Sequence, residues 1–112
     1  MVKEIYIPDQ GDIIYFNFSP SEGHEQKGVR PGVVISRAFL NKSSGMALIC
    51  PITSKRKFYP FEVIIEVGKI SSVALVDQVR AIDYKARKFR FVSKASIETI
   101  QEIKEKFITL VK

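Results

Sequence analysis

The sequence of 112 residues contains one cysteine, one histidine and no tryptophan. A single cysteine, Cys50, excludes a disulfide within the chain and is typical of a reducing compartment. Because Cys50 stands in the apolar stretch MALICPIT, we expect a buried structural thiol ahead of a reactive one. One histidine and one cysteine cannot form the ligand clusters that hold zinc, so the sequence predicts no metal site and no cofactor.

Long hydrophobic runs are also missing. No segment approaches the roughly 20 apolar residues of a membrane-spanning helix, and the opening stretch MVKEIYIPDQ has no apolar core with a cleavage site. These absences predict a cytoplasmic protein with no membrane partner. The net charge of +6 favours acidic partners, among them nucleic acid and acidic protein tails, without choosing between them.

The hydrophobic patterns predict one domain over residues 1–112 with a mainly β (α+β) fold. Stretches rich in β-branched and aromatic residues predict about five strands, namely 11–18, 31–36, 46–53, 60–67 and 73–82. The first of these, GDIIYFNF, is apolar on both faces, which predicts burial on both sides in a core or in a homodimer interface.

After these strands the period of the pattern changes. Apolar residues recur at helical spacing, and Ser93 or Ser96 can act as the N-cap of a C-terminal amphipathic helix; the apolar positions are Ile97, Ile100, Ile103, Phe107 and Leu110 or Val111. Short strands followed by one helix indicate a small SH3-like curved sheet or barrel.

The loop after the first strand combines acid–base groups with an arginine. Because Pro31 disfavours helical geometry at the residue before it, Arg30 should be extended, with its side chain held in one direction. Metal-free RNA cleavage needs a base for the 2′-hydroxyl, an acid for the 5′-oxygen and positive charge for the phosphorane. His24, Glu25 and Arg30 supply this set, and Thr53 adds a hydroxyl donor. The alternative is a solvated loop in which none of them is catalytic.

Asp77 and two basic segments are further candidates. If the fifth strand alternates strictly, Asp77 is partly buried, and its carboxylate either accepts backbone N–H groups or orients Arg30 or His24. Residues 54–59 and 80–94 interleave cations with rings that can stack on unpaired bases, although we expect Phe91 in the core. The predicted substrate-binding residues are Gln26, Lys27, Ser54, Lys55, Lys57, Asp77, Gln78, Arg80 and Arg87.

The sequence resembles the MazF/PemK family of toxin endoribonucleases in three segments, PDQGDIIYFNFSPSEGHEQKGVRPGVVIS, NKSSGMALICPITSKRKFYPFEV and VALVDQVRAIDYKAR. The resemblance implies a homodimeric SH3-like barrel that cuts single-stranded RNA at short sequences and leaves 2′,3′-cyclic phosphate and 5′-hydroxyl ends. It also implies a cognate antitoxin whose acidic, flexible tail covers the RNA site.

Residue by residue, the resemblance implies catalytic roles for Arg30, Thr53 and Glu25. In the Kid/PemK branch a histidine and an aspartate have assigned roles, and His24 and Asp77 stand in their places. That branch has an arginine where this chain has Leu75, so the MazF pattern is the closer one. Because a guanidinium holds its proton tightly, we assign Arg30 to charge stabilisation, Glu25 to the base, and His24 to the alternative base or the acid.

Two alternative functions stay open. A gyrase-binding toxin of the CcdB type shares the barrel but uses a C-terminal tryptophan, which this chain lacks. A non-catalytic nucleic-acid-binding barrel would use the same basic segments without needing Arg30 and Thr53.

Overall fold

The computed structural model describes residues 5–17 and 28–112. These residues form seven strands, two α-helices and one 3-10 turn. The strands are β1 (Asp12–Asn17), β2 (Val29–Val34), β3 (Met46–Thr53), β4 (Glu62–Val67), β5 (Ile70–Leu75), β6 (Arg80–Asp83) and β7 (Arg90–Lys94). Helix α1 spans Ala38–Ser44, the 3-10 turn spans Val76–Gln78, and helix α2 spans Ile97–Val111.

The strands form one curved sheet in the order β4-β5-β3-β2-β1-β7, and β6 pairs with the first half of β3. Within the described residues, neighbouring strands pair antiparallel. The prediction of a mainly β, SH3-like curved sheet with a C-terminal helix is confirmed. Neither helix in the described ranges combines the length and hydrophobicity needed to cross a membrane.

The prediction of a single fifth strand over residues 73–82 is wrong. Strand β5 ends at Leu75, the 3-10 turn follows, and β6 begins at Arg80. The break lets the chain change partners, since β5 pairs with the end of β3 and β6 with its beginning. Asp77 falls in the turn and is exposed, so its predicted partial burial is also wrong. Strand β7 and helix α1, which are short and polar, were not predicted.

Strand β1 is buried on both faces by its own chain. Ile13 belongs to one core cluster, while Ile14 and Phe16 belong to a second one, as alternation along a strand requires. Burial on both sides is therefore confirmed. Because the chain itself covers both faces, the pattern of β1 does not require a homodimer interface.

Helix α2 packs on the first cluster through the middle of its apolar face. Ile103 is 1% exposed, and Ile100 and Phe107 are partly buried against the same cluster. The Ser96 hydroxyl accepts a hydrogen bond from the Thr99 N–H at 3.1 Å, so Ser96 is the N-cap. At the start of the helix the apolar face is exposed to solvent, since Ile97 is 81% exposed.

The aromatic residues of the second basic segment divide between core and surface. Tyr84 and Phe89 are buried in the second cluster, where Phe89 contacts Phe16 at 5.7 Å between ring centroids. Phe91, which we expected in the core, is 50% exposed and lies edge-on to Tyr6, so that expectation is wrong. Cys50 is fully buried, as predicted.

Candidate active site

Arg30 and Thr53 line the same groove. Strands β2 and β3 pair from Val34 with Ile49 to Gly32 with Pro51, and Arg30 and Thr53 each lie two residues beyond the last pair. Thr53 pairs with Val73 of β5 on the other edge of β3, and a groove of about 360 Å³ is lined by both Arg30 and Thr53. We call it the arginine groove; its lining residues are Tyr15, Arg30, Pro31, Ile52, Thr53, Ser54, Lys55, Val67, Ile70 and Ser72.

The backbone fixes the position of Arg30. The residue lies in β2 opposite Phe16 of β1, whose ring is 1% exposed, so the extended conformation expected from Pro31 is present. A side chain at Gly32 would place its Cβ 3.1 Å from Ile49 and 3.2 Å from Phe16, closer than ordinary contact. The glycine therefore lets β2 pack tightly beside the arginine, whose side chain is exposed at the groove.

The Thr53 hydroxyl already has one partner. Its Oγ1 accepts a hydrogen bond from the backbone N–H of Lys55 at 3.1 Å. Because that bond uses an acceptor site only, the hydroxyl proton is left to donate to another oxygen. A half-buried donor next to a guanidinium and an exposed lysine is suited to a phosphate group.

A second groove of about 340 Å³ adjoins the first and shares Thr53 and Lys55 with it. We call it the tyrosine groove; it is lined by Thr53, Lys55, Lys57, Tyr59, Glu62, Leu75 and Gln78. The Tyr59 hydroxyl donates to Asp77 Oδ1 at 2.7 Å. Burial raises the pKa of Tyr59 to about 12, and the hydrogen bond to Asp77 and the charges of Asp77 and Glu62 add to the rise. Tyr59 is therefore a hydrogen-bond donor at neutral pH.

Glu62 holds the loop between β3 and β4 that carries the cations. Its carboxylate is buried and accepts the backbone N–H of Lys57 at 2.6 Å and of Phe58 at 3.0 Å. The Arg56 Nε atom lies 3.5 Å from the same carboxylate. One buried anion thus fixes three consecutive loop residues at the rim of the tyrosine groove.

A family profile describing PemK-like, MazF-like toxins of type II toxin–antitoxin systems matches residues 9–111. The chain belongs to this toxin family. Endoribonuclease toxin MazF of Escherichia coli K12 is 42% identical over 106 residues, which cover 95% of this chain and 96% of that protein. Endoribonuclease PemK of Escherichia coli is 34% identical over 84 residues, covering 70% and 63%. The predicted closer likeness to MazF is confirmed.

Solved structures of the family have the same fold. A crystal structure of MazF from Deinococcus radiodurans has a TM-score of 0.83 and 38% identity, covering 96% of this chain and 98% of that one. A chain in a MazE-MazF crystal structure from the same organism has a TM-score of 0.83 and 32% identity, covering 96% and 97%. The toxin family and its barrel are thus identified over nearly the whole chain.

The structure brings part of the predicted site together. Arg30, Thr53, Ser54 and Lys55 line the arginine groove, and Lys57 and Gln78 line the tyrosine groove. Asp77 is connected to the second groove through Tyr59. The remaining candidates of the first loop, His24, Glu25, Gln26 and Lys27, lie outside the described residues.

Two predicted substrate-binding arginines lie apart from both grooves. Arg80 begins β6, where it pairs with Ile49 of β3. Arg87 is half-buried, and its Nη1 donates to the Asn17 carbonyl at 3.3 Å, which joins the β6–β7 connection to the end of β1.

Three residues at the grooves were missed by sequence reasoning. Tyr15 lines the arginine groove, but it was counted only as part of an apolar strand. Glu62 meets its partners across the turns of the loop, and Tyr59 meets Asp77 in the 3-10 turn after β5, so no local spacing indicates the contacts. The available signal was the Glu62 carboxylate at the first position of a mainly apolar strand, where burial would require donors.

Proposed function

We propose that this toxin is a sequence-specific endoribonuclease that cuts single-stranded mRNA without a metal ion and thereby inhibits translation. Cleavage through the 2′-hydroxyl would leave 2′,3′-cyclic phosphate and 5′-hydroxyl ends. The single observation that carries the proposal is that Arg30 and Thr53 line one groove in a member of a family whose named relatives are endoribonucleases.

In this mechanism Arg30 stabilises the charge that develops on the phosphorane. The planar guanidinium presents a fork of charged donors that matches the oxygens of a phosphate. Thr53 donates its free hydroxyl proton to a phosphate oxygen, and Lys55 adds a positive charge beside it. These groups are placed by β2 and β3 before substrate arrives, so little reorganisation is needed in the transition state.

The first loop would supply the proton transfers. Glu25 is our proposed base for the 2′-hydroxyl, and His24 is the alternative base or the acid for the 5′-oxygen. If Glu25 is the base, Glu25→Gln should remove the acidic limb of the pH–rate profile while RNA binding is kept. If His24 is the base, His24→Gln should have that effect. A wild-type profile in both variants would exclude both residues from the role.

We also propose that the toxin acts in the cytoplasm and is inhibited by a cognate antitoxin with an acidic, flexible tail. Support comes from the family, which is defined by toxin–antitoxin systems, and from the lysines at the two grooves. A groove that receives phosphates is also suited to carboxylates, so inhibitor and RNA should compete. RNA that stays bound to the inhibited complex would contradict this overlap.

Residues 1–112 are proposed to act as one domain, and two copies are proposed to form a symmetric homodimer. The family match over residues 9–111 supports the first proposal. The second follows from the family resemblance alone, because β1 is covered within its own chain. Light scattering at micromolar concentration checks it, and a monomer would refute it.

The test is cleavage of a mixed RNA by the purified protein in excess EDTA, followed by mapping of the new ends. We expect cuts at a short common sequence, and much slower cutting at the same sequence with Arg30→Ala. Cleavage abolished by the chelator and restored by a divalent ion would refute the metal-free mechanism. RNA binding without cleavage would favour the non-catalytic barrel, and inhibition of gyrase without RNA cleavage would favour the CcdB type.

A further inference from the structure

The loop after β3 contains an aromatic residue in a left-handed backbone conformation. Phe58 has a φ of 61°. Among the non-glycine residues in the described ranges, Phe58 and Lys88 are the two with a positive φ. For a bulky side chain this region is sterically disfavoured, since Cβ crowds the neighbouring carbonyl. A glycine would adopt the same backbone without that cost.

The strained conformation is imposed by a buried group. The Glu62 carboxylate, in a residue that is 7% exposed, accepts the N–H groups of Lys57 and Phe58, and both hydrogen bonds need the loop in this shape. Strain that the surroundings hold in place occurs preferentially at functional sites.

In this arrangement the aromatic ring of Phe58 is exposed to solvent. Phe58 is 76% exposed, which is unfavourable for an apolar side chain that packs on no core. The Arg56 guanidinium lies over the ring at 4.3 Å from its centroid, while Arg56 Nε is 3.5 Å from Glu62. The guanidinium and the ring therefore form a fixed pair that we call the Arg56–Phe58 platform.

The platform stands among groups that favour nucleic acid. Lys55 and Lys57 are its chain neighbours, both are exposed, and both line the tyrosine groove. The loop begins at Thr53, which also lines the arginine groove. A base can stack on an aromatic ring or on a guanidinium plane, and cations on either side can bind the phosphates that flank it.

We infer that the Arg56–Phe58 platform stacks on an unpaired base of the RNA bound in the two grooves, next to the phosphate at Arg30. The inference rests on the proposed ribonuclease function and assigns to this loop a base-binding role in it. Stacking accepts any base, so the platform contributes affinity and register at one nucleotide and only a modest preference for purines.

The test is Phe58→Gly, which removes the ring and the backbone strain together. Cleavage mapping with the wild type first defines a substrate, and its 2′-O-methyl analogue, which cannot be cut, serves as the binding probe. We expect the variant to bind this analogue about five- to a hundredfold more weakly, while its melting temperature is equal or higher. Phe58→Tyr should keep the affinity, and Phe58→Leu should not.

Phe39 offers a matched control. Its ring is 64% exposed and lies under the Arg37 guanidinium at 5.5 Å, but it belongs to α1, beyond the end of β2 opposite to Arg30. Phe39→Ala should leave the affinity for the analogue unchanged. 2-Aminopurine placed at successive positions of the analogue should be quenched at one position by the wild type and not by Phe58→Gly.

Each contrary outcome has a distinct meaning. If the wild type cuts no RNA, the proposed function and the stacking role both fail. If the wild type cuts RNA and Phe58→Gly binds the analogue equally well, the stacking role alone is refuted. A lower melting temperature in Phe58→Gly would show that the ring supports the fold, and selective loss of binding to an acidic peptide would show a protein-binding surface. Either result overturns the inference.

Discussion

The Tyr59 hydroxyl and the Asp77 carboxylate are joined by a hydrogen bond of 2.7 Å, which connects the loop after β3 to the 3-10 turn after β5. The two residues are 18 positions apart, and Tyr59 lines the tyrosine groove together with Gln78, the chain neighbour of Asp77. The Val76 N–H, which donates to the Phe61 carbonyl at 3.1 Å, joins the same two segments where the β4–β5 pairing ends.

Tyr59→Phe should disturb RNA binding more than folding. Both partners lie near solvent, so we expect the free energy of unfolding to fall by about 0.5 to 1.5 kcal/mol. Because the loop positions Lys55 and Lys57, KM for a defined RNA should rise while kcat changes little. A double-mutant cycle with Asp77→Asn checks the contact itself: additive effects of the two changes would mean that the pair is not coupled.

Glu62→Gln should destabilise the protein and loosen the cationic loop. The amide has one acceptor oxygen where the carboxylate has two, and its NH₂ group would face a backbone N–H. We expect the free energy of unfolding in urea to fall by about 1.5 to 3 kcal/mol. Glu66→Gln on the same strand is exposed and serves as the control. Equal, small effects of both substitutions would contradict an anchoring role for Glu62.

Cys50 should resist thiol reagents in the folded state and make stability fall at alkaline pH. Burial, followed by the charge of Asp77, raises the pKa of this thiol from 9.0 to about 12. The folded state thus holds the proton more tightly than the unfolded chain, so this contribution is complete below about pH 9 and is lost as the pH rises towards 12. Urea unfolding with reductant at pH 8 and 10.5 should show a larger loss for the wild type than for Cys50→Ala. Equal losses would refute the assignment.

The parts of the fold that sequence predicted are those with long, regular patterns. Residues 46–53 form a continuous apolar stretch of strand length, and the observed β3 has the same bounds. The C-terminal helix could likewise be predicted from the apolar spacing of the last 16 residues, and Ser96 could be predicted as a candidate N-cap. Strand β7 and the break at Val76–Gln78 could not be predicted from the sequence. Their positions depend on pairing with strands that are distant along the chain.

The residues of the candidate site also divide into those with a local sequence signal and those that only the folded chain brings together. Arg30 and Thr53 were identifiable because strand ends and an Arg-Pro step give local signals, and family likeness agrees with them. Glu62, Tyr59 and the displayed ring of Phe58 depend on a loop shape that only the folded chain defines. Asp77 was proposed as a site candidate from an expected partial burial that is wrong, since it is exposed and bonded to Tyr59.

The proposed mechanism of metal-free RNA cleavage depends on stabilisation of the transition state by the Arg30 guanidinium. Single-turnover cleavage of one mapped RNA in EDTA by the wild type, Arg30→Ala and Arg30→Lys tests it most directly. Arg30→Ala should lose about 2 to 4 kcal/mol of transition-state stabilisation while RNA affinity falls far less, and Arg30→Lys should recover little, because a point charge does not replace the fork. Cleavage by Arg30→Ala at the wild-type rate would contradict the account.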